Sequence, residues 1–260
     1  MQANVEITGA IVIYKSDKAW LERAIESFLQ IPIPKKLFLI YNSPNENCKP
    51  ELQRPDIEYI FNGSNMGFGA AHNSIISRIK GFSKYHLVFN PDVEFNPAII
   101  IPLIKELEKD KTLALIAPKV KYPDGDFQAS CRRYPSFFEL IIRRVRFLKE
   151  VFQNRIGKGE YIDIDFTKPF YPDFIHGCFH LYKTDDFVTL GGFDERYFLY
   201  IEDVDICKQI DKMGKKKMYF PGVSIVHALN RGSSINFKLF LLHLHSAFKY
   251  FNKWGWFKNR

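Results

Sequence analysis

Apolar residues fall into two rhythms along the first half of the chain. VEITGAIVIY (5–14), KLFLIYN (36–42), IEYIF (57–61) and HLVFN (86–90) are short, nearly continuous apolar runs, which predict strands. Between them, KAWLERAIESFL (18–29) sets Trp20, Ala24, Ile25 and Phe28 on one side of a helix. GAAHNSIISRI (69–79) predicts a second helix, and the stretch from Ile99 to Lys109 a third. Strand and helix in alternation predict a parallel sheet covered by helices on both faces. Ligands of such sheets sit beyond the C-terminal strand ends, so the residues that follow each strand are the ones to read for chemistry.

The second half is less regular. LALIAPKVKY runs into the turn Pro123-Asp124-Gly125, followed by ASCRRYPS and the basic helical stretch FFELIIRRVRFLKEVF. FHLYK (179–183) predicts a strand, Gly191-Gly192 a turn, and Asp203 to Met213 a helix. KKMYF (216–220) and VSIVH (223–227) predict two more strands, and a long final helix starts near Asn236. There is no internal repeat, low-complexity tract or clear linker.

With 260 residues, 46% hydrophobic and 25% charged, the chain is long enough for one large core, and a single α/β domain is expected. A formal charge of +8 points to an anionic partner: nucleic acid, a nucleotide-bearing substrate or an acidic membrane surface. Cys48, Cys131, Cys178 and Cys207 form no CxxC pair, which argues against a zinc knuckle or redox dithiol and fits a reducing compartment. The start, MQANVEITGAIVIYKSD, carries Glu6 early and lacks the basic, long-apolar pattern of a signal peptide. Nowhere do about 18 apolar residues run together, the length a membrane-crossing helix needs. A cytoplasmic protein is expected.

NMGFGAAHN (65–73) is a glycine-bearing turn opening a helix, where free amides can receive phosphate or ribose. It lacks GxGxxG, and glycines used for tight packing account for it better. Asn90-Pro91-Asp92 closes a buried strand, and two readings stand open: Asp92 holds a divalent cation completed by substrate phosphates, or it forms an ordinary Asx turn. Glu202, Asp203 and Asp205 crowd a helix start. The helix dipole accounts for one acid but does not need three. Helical spacing puts Glu202 and Asp205 on one side and turns Asp203 away, able to face a cleft. Apolar neighbours such as Phe198 and Tyr200 would raise its pKa toward that of a general base; a solvated helix start is the alternative. His227 ends VSIVH as either a metal ligand or a structural ring. In the following ALNRGSS, Arg231 suits a pyrophosphate, or the segment is a plain loop.

The order of these signals is distinctive. Tyr14-Lys15-Ser16, Tyr41-Asn42-Ser43, NMGFGAAHN, NPD, APKVKYPDGDFQASCRRYPS, GGFDERYFLYIEDVDIC and VHALNRGS together resemble the bacterial rhamnosyltransferase-like members of glycosyltransferase family 2, over roughly residues 7–233. The resemblance implies a GT-A fold, a single Rossmann-like α/β domain over 1–235 with a mostly parallel central sheet. Its nucleotide-binding half would span about 1–95 and its acceptor-binding half about 96–235, with a C-terminal helix over 236–260. It also implies inverting transfer of a deoxyhexose, L-rhamnose from dTDP-L-rhamnose, onto a sugar hydroxyl of a bacterial surface polysaccharide or lipid-linked glycan such as an O-antigen. On this resemblance Tyr14, Asn42, Asn65 and Gly67 would line the nucleotide, with Arg231 beside the diphosphate. Asp92 and His227 would hold Mg2+ or Mn2+ against the donor, Asp203 would be the base, and Glu202 would support it at the acceptor. Two residues depart from the pattern: Asn90 stands where the family's metal triplet often begins with Asp, and Asn42 where an acid or amide near the nucleotide is usual.

INFKLFLLHLHSAFKYFNKWGWFKNR contains Lys238, Lys249, Lys253, Lys258 and Arg260 but no acid, with Trp254, Trp256 and Phe257 among them. That composition suits an interfacial helix on anionic lipid, at the inner face of the plasma membrane. The other reading is a packed helix burying Phe237, Phe240, Leu241, Leu244, Phe248 and Phe251. Arg143, Arg144, Arg146 and Lys149 either extend the same basic surface or are a solvated face. A non-catalytic polyanion or nucleic-acid module would share this charge, but it leaves the order of Asp92, Asp203 and His227 unexplained. No RNA-binding or helix-turn-helix signature is present, so no nucleic-acid partner is expected. Nucleotidyl transfer would need a glycine-rich basic loop after the first strand, and Tyr14-Lys15-Ser16-Asp17 is not one.

Overall fold

The computed structural model describes residues 5–44, 54–142, 152–229 and 237–256. The chain opens with β1 (Ile7–Ile13), α1 (Lys18–Leu29), β2 (Lys35–Tyr41) and β3 (Ile57–Phe61). Asp17 starts α1 by accepting the Trp20 amide at 3.1 Å. α2 (Phe68–Asn73) and α3 (Ile76–Ile79) lead to β4 (Tyr85–Phe89), β5 (Val93–Phe95), α4 (Ile100–Lys109) and β6 (Leu113–Lys121). A less regular middle follows: β7 (Phe127–Gln128), β8 (Cys131–Arg132), α5 (Phe137–Ile142), α6 (Gln153–Gly159) and β9 (Phe174–Ile175). β10 (Phe179–Lys183), α7 (Thr184–Leu190), α8 (Glu202–Lys212), β11 (Lys216–His227) and α9 (Phe237–Trp254) close it.

The main sheet has the order β3-β2-β1-β4-β10-β6-β11-β5, with β7 on β6. β3, β2, β1 and β4 are parallel, as the alternation predicts. The second half is mixed: β10 inserts antiparallel between β4 and β6, while β6 and β11 are parallel again. Because Phe179 pairs with Phe89, β10 begins where β4 ends, so residues 176–178 lie at the C-terminal edge of the sheet. Alternate strand residues feed two cores. Ile7, Ile11, Leu37, Leu39, Leu87 and Phe89 join residues of α1 and α4 on one face. Ala10, Val12, Phe38, Ile40 and Val88 join residues of α7, α8 and α9 on the other. Gly9 permits the close approach of α1, since a Cβ there would lie 2.4 Å from the Phe28 ring.

Three sequence expectations change. The single helix over 69–79 is two, α2 and α3: Asn73 is drawn into bonds with the Phe193 backbone, donating to its oxygen at 2.7 Å and accepting its amide at 2.9 Å. Ser74 Oγ donates to Ala71 O at 2.7 Å, which competes with helix continuation. The two strands over 216–220 and 223–227 are one, β11, because both halves pair with β6 and Pro221-Gly222 only shifts the register between Phe220 and Ser224. The last helix turns most of its expected buried stripe outward: Phe237, Leu241, Leu244 and Phe248 are exposed and Phe240 is half-buried, while Phe251 is buried as expected, together with Ser246, Ala247 and Tyr250.

His72, His86 and His180 are buried in the second half of the core. Burial holds all three below the ordinary histidine pKa, His86 at about 3, His180 at about 4 and His72 well down, so each is neutral when folded. The unfolded chain binds those protons near 6.5, so stability is full above that pH and drains away as pH falls toward 4. Glu202, pushed up to about 8 by burial and by Asp203, works in the opposite sense, losing its contribution as pH rises from 4.5 toward 8. Asp203 is raised as well and shares that sign. Three histidines outweigh the acid pair, so urea unfolding is expected to show a loss on the order of 1–3 kcal/mol per pH unit between pH 6.5 and 5. A flat profile there contradicts neutral, buried rings.

Candidate active site

The C-terminal sheet edge gathers the sequence-predicted residues. Tyr14 follows β1 and is 43% exposed, the right condition for a ring that stacks on a ligand. Asn42 follows β2 and is buried, and its side chain is a hub. Its Nδ2 donates to Asn65 Oδ1 at 3.0 Å and Gly67 O at 3.2 Å, and its Oδ1 accepts from Asn62 Nδ2 at 3.2 Å and the Met66 amide at 3.1 Å. Asn42 therefore shapes the 62–67 loop with both of its polar atoms. Gly67 has φ +87°, and a Cβ on it would lie 2.2 Å from Phe198 O. The Phe68 amide donates to that same oxygen at 3.0 Å. The opening of α2 is thus fastened to the segment that carries the acids, and its first amide is already used.

Asp92 and His227 meet from β4–β5 and β11, with His227 Nε2 3.4 Å from Asp92 Oδ1. Gln128 orients the ring: its Oε1 lies 2.7 Å from His227 Nδ1 while its Nε2 donates to His227 O at 3.3 Å. Nδ1 therefore carries a proton, and a neutral ring would set the Nε2 lone pair against the Asp92 carboxylate, with Asn90 Nδ2 only at 3.5 Å. A second proton or a cation resolves that contact. Burial disfavours the charged ring, but Cys178 and Asp92 outweigh it and raise its pKa to about 10. Among the described residues no group of three His, Cys, Asp or Glu side chains converges as a metal cage. Asp92 and His227 thus fit a two-ligand half-site, the arrangement a cation sharing its shell with phosphates requires.

The three acids of α8 have separate fates. Asp205 is fully buried and accepts from Tyr197 Oη at 3.0 Å, Gln209 Nε2 at 2.7 Å, Lys253 Nζ at 2.8 Å and Trp254 Nε1 at 2.6 Å. Glu202 is buried with Oε2 unbonded, and burial with the neighbouring Asp203 raises its pKa to about 8. Asp203 is half-buried and accepts the Gly177 amide at 3.2 Å and the Val204 amide at 2.8 Å. Burial raises its pKa against those two amides and the more distant Arg132. Of the two, Asp203 has two amide donors where Glu202 has an unbonded oxygen, so Asp203 is the better placed to carry charge. Gly177 and Cys178 join the two halves of the site, since Gly177 bonds Asp203 and Cys178 O accepts the Asn90 amide at 3.0 Å.

Sequence reasoning missed Gln128, Gly177, Cys178 and Asp205's function as an internal counterion. Gln128 carries no local signal because its partner is His227, 99 residues away. Arg132 was legible only within CRRYPS; its Nε donates to His176 Nε2 at 3.1 Å. Arg231 lies outside the described residues, as do Cys48 and the basic run from Arg143 to Lys149.

A sheet that is parallel up to β4 and then interrupted by the antiparallel β10 has the layout of a GT-A fold. Solved structures share that fold: GalNAc-T7 with UDP, GalNAc and Mn2+ gives a TM-score of 0.64 at 15% identity, over 86% of this chain and 43% of that one. The mannosyltransferase PcManGT from Pyrobaculum calidifontis, with GDP-Man and Mn2+, gives 0.60 at 14%, over 88% and 58%. The sequence model of glycosyl transferase family 2 matches residues 10–190, and the chain belongs to that family of glycosyltransferases. It is 25% identical over 242 residues to N-acetylglucosaminyl-diphospho-decaprenol L-rhamnosyltransferase of Mycobacterium tuberculosis, covering 85% of this chain and 76% of the relative. It is 29% identical over 204 residues to the rhamnosyltransferase WbbL of Escherichia coli K12, covering 75% and 73%.

Gly67→Ala is expected to destabilise the protein by about 2 kcal/mol or more, since it meets both a left-handed backbone and the Phe198 oxygen. Urea unfolding measures this, and a change below about 0.5 kcal/mol would mean that the loop relaxes away from Phe198.

Proposed function

We propose that this enzyme transfers L-rhamnose from dTDP-L-rhamnose, with inversion, to a sugar hydroxyl of a lipid-linked bacterial glycan. The relatives supply the sugar and the acceptor class, since both are rhamnosyltransferases and one acts on a diphospho-decaprenol glycan by name. The observation that carries the mechanism is the asymmetry of the acid pair: Glu202 is buried with one oxygen unbonded and its pKa raised, while Asp203 accepts two backbone amides. Asp203 takes the proton from the acceptor hydroxyl as its oxygen attacks the anomeric carbon, and the bond to the diphosphate breaks on the opposite side. Glu202, neutral, leaves Asp203 the only negative charge of the pair and lies beside the acceptor. Tyr14 stacks on the base, and the Asn42-shaped loop with Asn65 and Gly67 forms the wall of the nucleotide site. Arg231 retains its assignment beside the diphosphate. Asp92 and His227 would hold Mg2+ or Mn2+, whose charge when bound offsets that of the leaving group.

Asp203→Asn is expected to lower turnover by about 10²–10⁴-fold while nucleotide affinity changes little. Calorimetric titration with dTDP, UDP and GDP, each with and without Mn2+, supplies the binding arm. Metal-dependent preference for dTDP supports the donor assignment, preference for UDP or GDP replaces the sugar, and equal loss of binding and turnover in the variant makes Asp203 a structural acid.

We also place α9 against anionic lipid. Phe237, Leu241, Leu244 and Phe248 form an exposed apolar stripe, and no Asp or Glu follows Asp211 in the sequence. No helix among the described residues is long and apolar enough to cross a membrane. Such a stripe beside the exposed Lys238 fits a surface-lying helix. Leu244→Glu with Phe248→Glu should abolish sedimentation with phosphatidylglycerol vesicles. Equal sedimentation of wild type and variant would rule the stripe out as the lipid-facing surface.

A further inference from the structure

The inner face of α9 holds the segment that leads into the acid pair. Ser246 Oγ donates to Leu199 O at 2.8 Å, and Lys249 Nζ to Arg196 O at 2.6 Å. Lys253 Nζ reaches Asp194 at 2.6 Å and Asp205 at 2.8 Å, and Trp254 Nε1 reaches Asp205 at 2.6 Å. The His243 ring lies 5.2 Å from that of Tyr200. Residues spaced along one helix face therefore grip the chain on both sides of Tyr200-Ile201.

Those two residues have φ of +67° and +73°, consecutive left-handed conformations without glycine. An isoleucine does not adopt that backbone by its own preference, so surrounding contacts must impose it. The first bond of α8, from the Asp205 amide to Ile201 O at 2.9 Å, starts at this turn. The turn thus sets the direction in which α8 leaves and the place where Glu202 and Asp203 stand. On the other side, Phe198 O accepts the Phe68 amide and fixes the same segment to the 62–67 loop.

We propose that α9 is a brace that positions the acid pair, with Ser246 and Trp254 as positioning residues that act through Leu199 and Asp205. The brace rests on Asp203 being the base, because only then does its placement govern turnover. Neither Ser246 nor Trp254 touches the substrate side of Asp203: one bonds a backbone carbonyl and the other a fully buried carboxylate. Releasing the grip lets the turn relax, and a shift of about 1 Å in a reacting group costs on the order of 10²-fold in rate.

The test is the full chain with Ser246→Ala, Trp254→Phe and both together. Ser246→Ala is nearly isosteric and deletes one donor; Trp254→Phe keeps an aromatic ring but deletes the Nε1 donor and trims the indole, so the Ser246 variants carry the cleaner comparison. Turnover of dTDP-L-rhamnose is followed with a short-chain GlcNAc-diphospho-prenol as acceptor, beside calorimetric dTDP affinity and amide exchange. The brace predicts that kcat falls about 10- to 100-fold in the double variant, with dTDP affinity within about twofold. It further predicts faster exchange at the Phe68 and Asp205 amides but not in β1 and β4, and restoration of kcat by Ser246→Thr, which keeps the hydroxyl. An unchanged kcat, or equal losses of kcat and dTDP affinity, overturns it. If the double variant does not fold, the single Ser246→Ala and Ser246→Thr proteins carry the same comparison. A wild type that does not turn over the donor overturns the rhamnosyl reading instead, and amide exchange then judges the brace alone: unchanged exchange at Phe68 and Asp205 overturns it.

Discussion

The carboxylate of Asp205 is the contact on which the arrangement of this protein depends. It is fully buried, and a buried charge persists only among donors. Four surround it, from the loop before α8, from α8 itself and from α9. Removing one donor from such a group costs about 1.5–3 kcal/mol, a sizeable share of a net stability of about 5–15 kcal/mol. This decides which side of α9 faces in. Rotating the helix to bury Phe237, Leu241, Leu244 and Phe248 would expel Ala247, Tyr250 and Phe251, so the apolar terms nearly cancel. The polar term does not cancel, because Lys253 and Trp254 would leave Asp205.

The same contact bears on the electrostatics of the site. Two adjacent acids in a half-buried place cannot both ionise at the usual pH, and the one with fewer donors keeps its proton. Glu202 has an unbonded oxygen and Asp203 has two amides, so the asymmetry is set by backbone geometry. That geometry comes from Tyr200-Ile201 on one side and Gly177 on the other. Each left-handed non-glycine residue costs about 1–2 kcal/mol, and the buried bonds of Asp205 are large enough to hold both.

Much of this was legible in the sequence, for identifiable reasons. Strands β1, β2, β4 and β10 are short apolar runs, and periodicity finds them to within a residue or two. The placement of Asp92 after a strand, of His227 at a strand end and of Asp203 at a helix start was legible from where the apolar runs stop. What failed depended on partners far away in the chain. The break at Asn73 is made by Phe193, the tautomer of His227 by Gln128, and the burial of Asp205 by Trp254. The stripe of α9 failed for a different reason: its pattern is amphipathic whichever way it faces, and only the position of Asp205 selects the side.

One consequence concerns how negative charge is met in the site. In many nucleotide-binding sheets the free amides of a helix start receive the phosphates. Here the Phe68 amide is committed to Phe198, and Asn65 Oδ1 accepts the Gly67 amide at 2.9 Å. The glycines of NMGFGAAHN therefore serve close approach between the loop and the acid segment, as their poor match to a phosphate loop suggested. On the proposed reading, neutralising a diphosphate then falls to the cation at Asp92 and His227 and to side chains after β11. The half-site that those two residues would build is matched to that demand. Its imidazole faces the Asp92 carboxylate across 3.4 Å, so a bound cation would take the place that a ring proton fills in its absence.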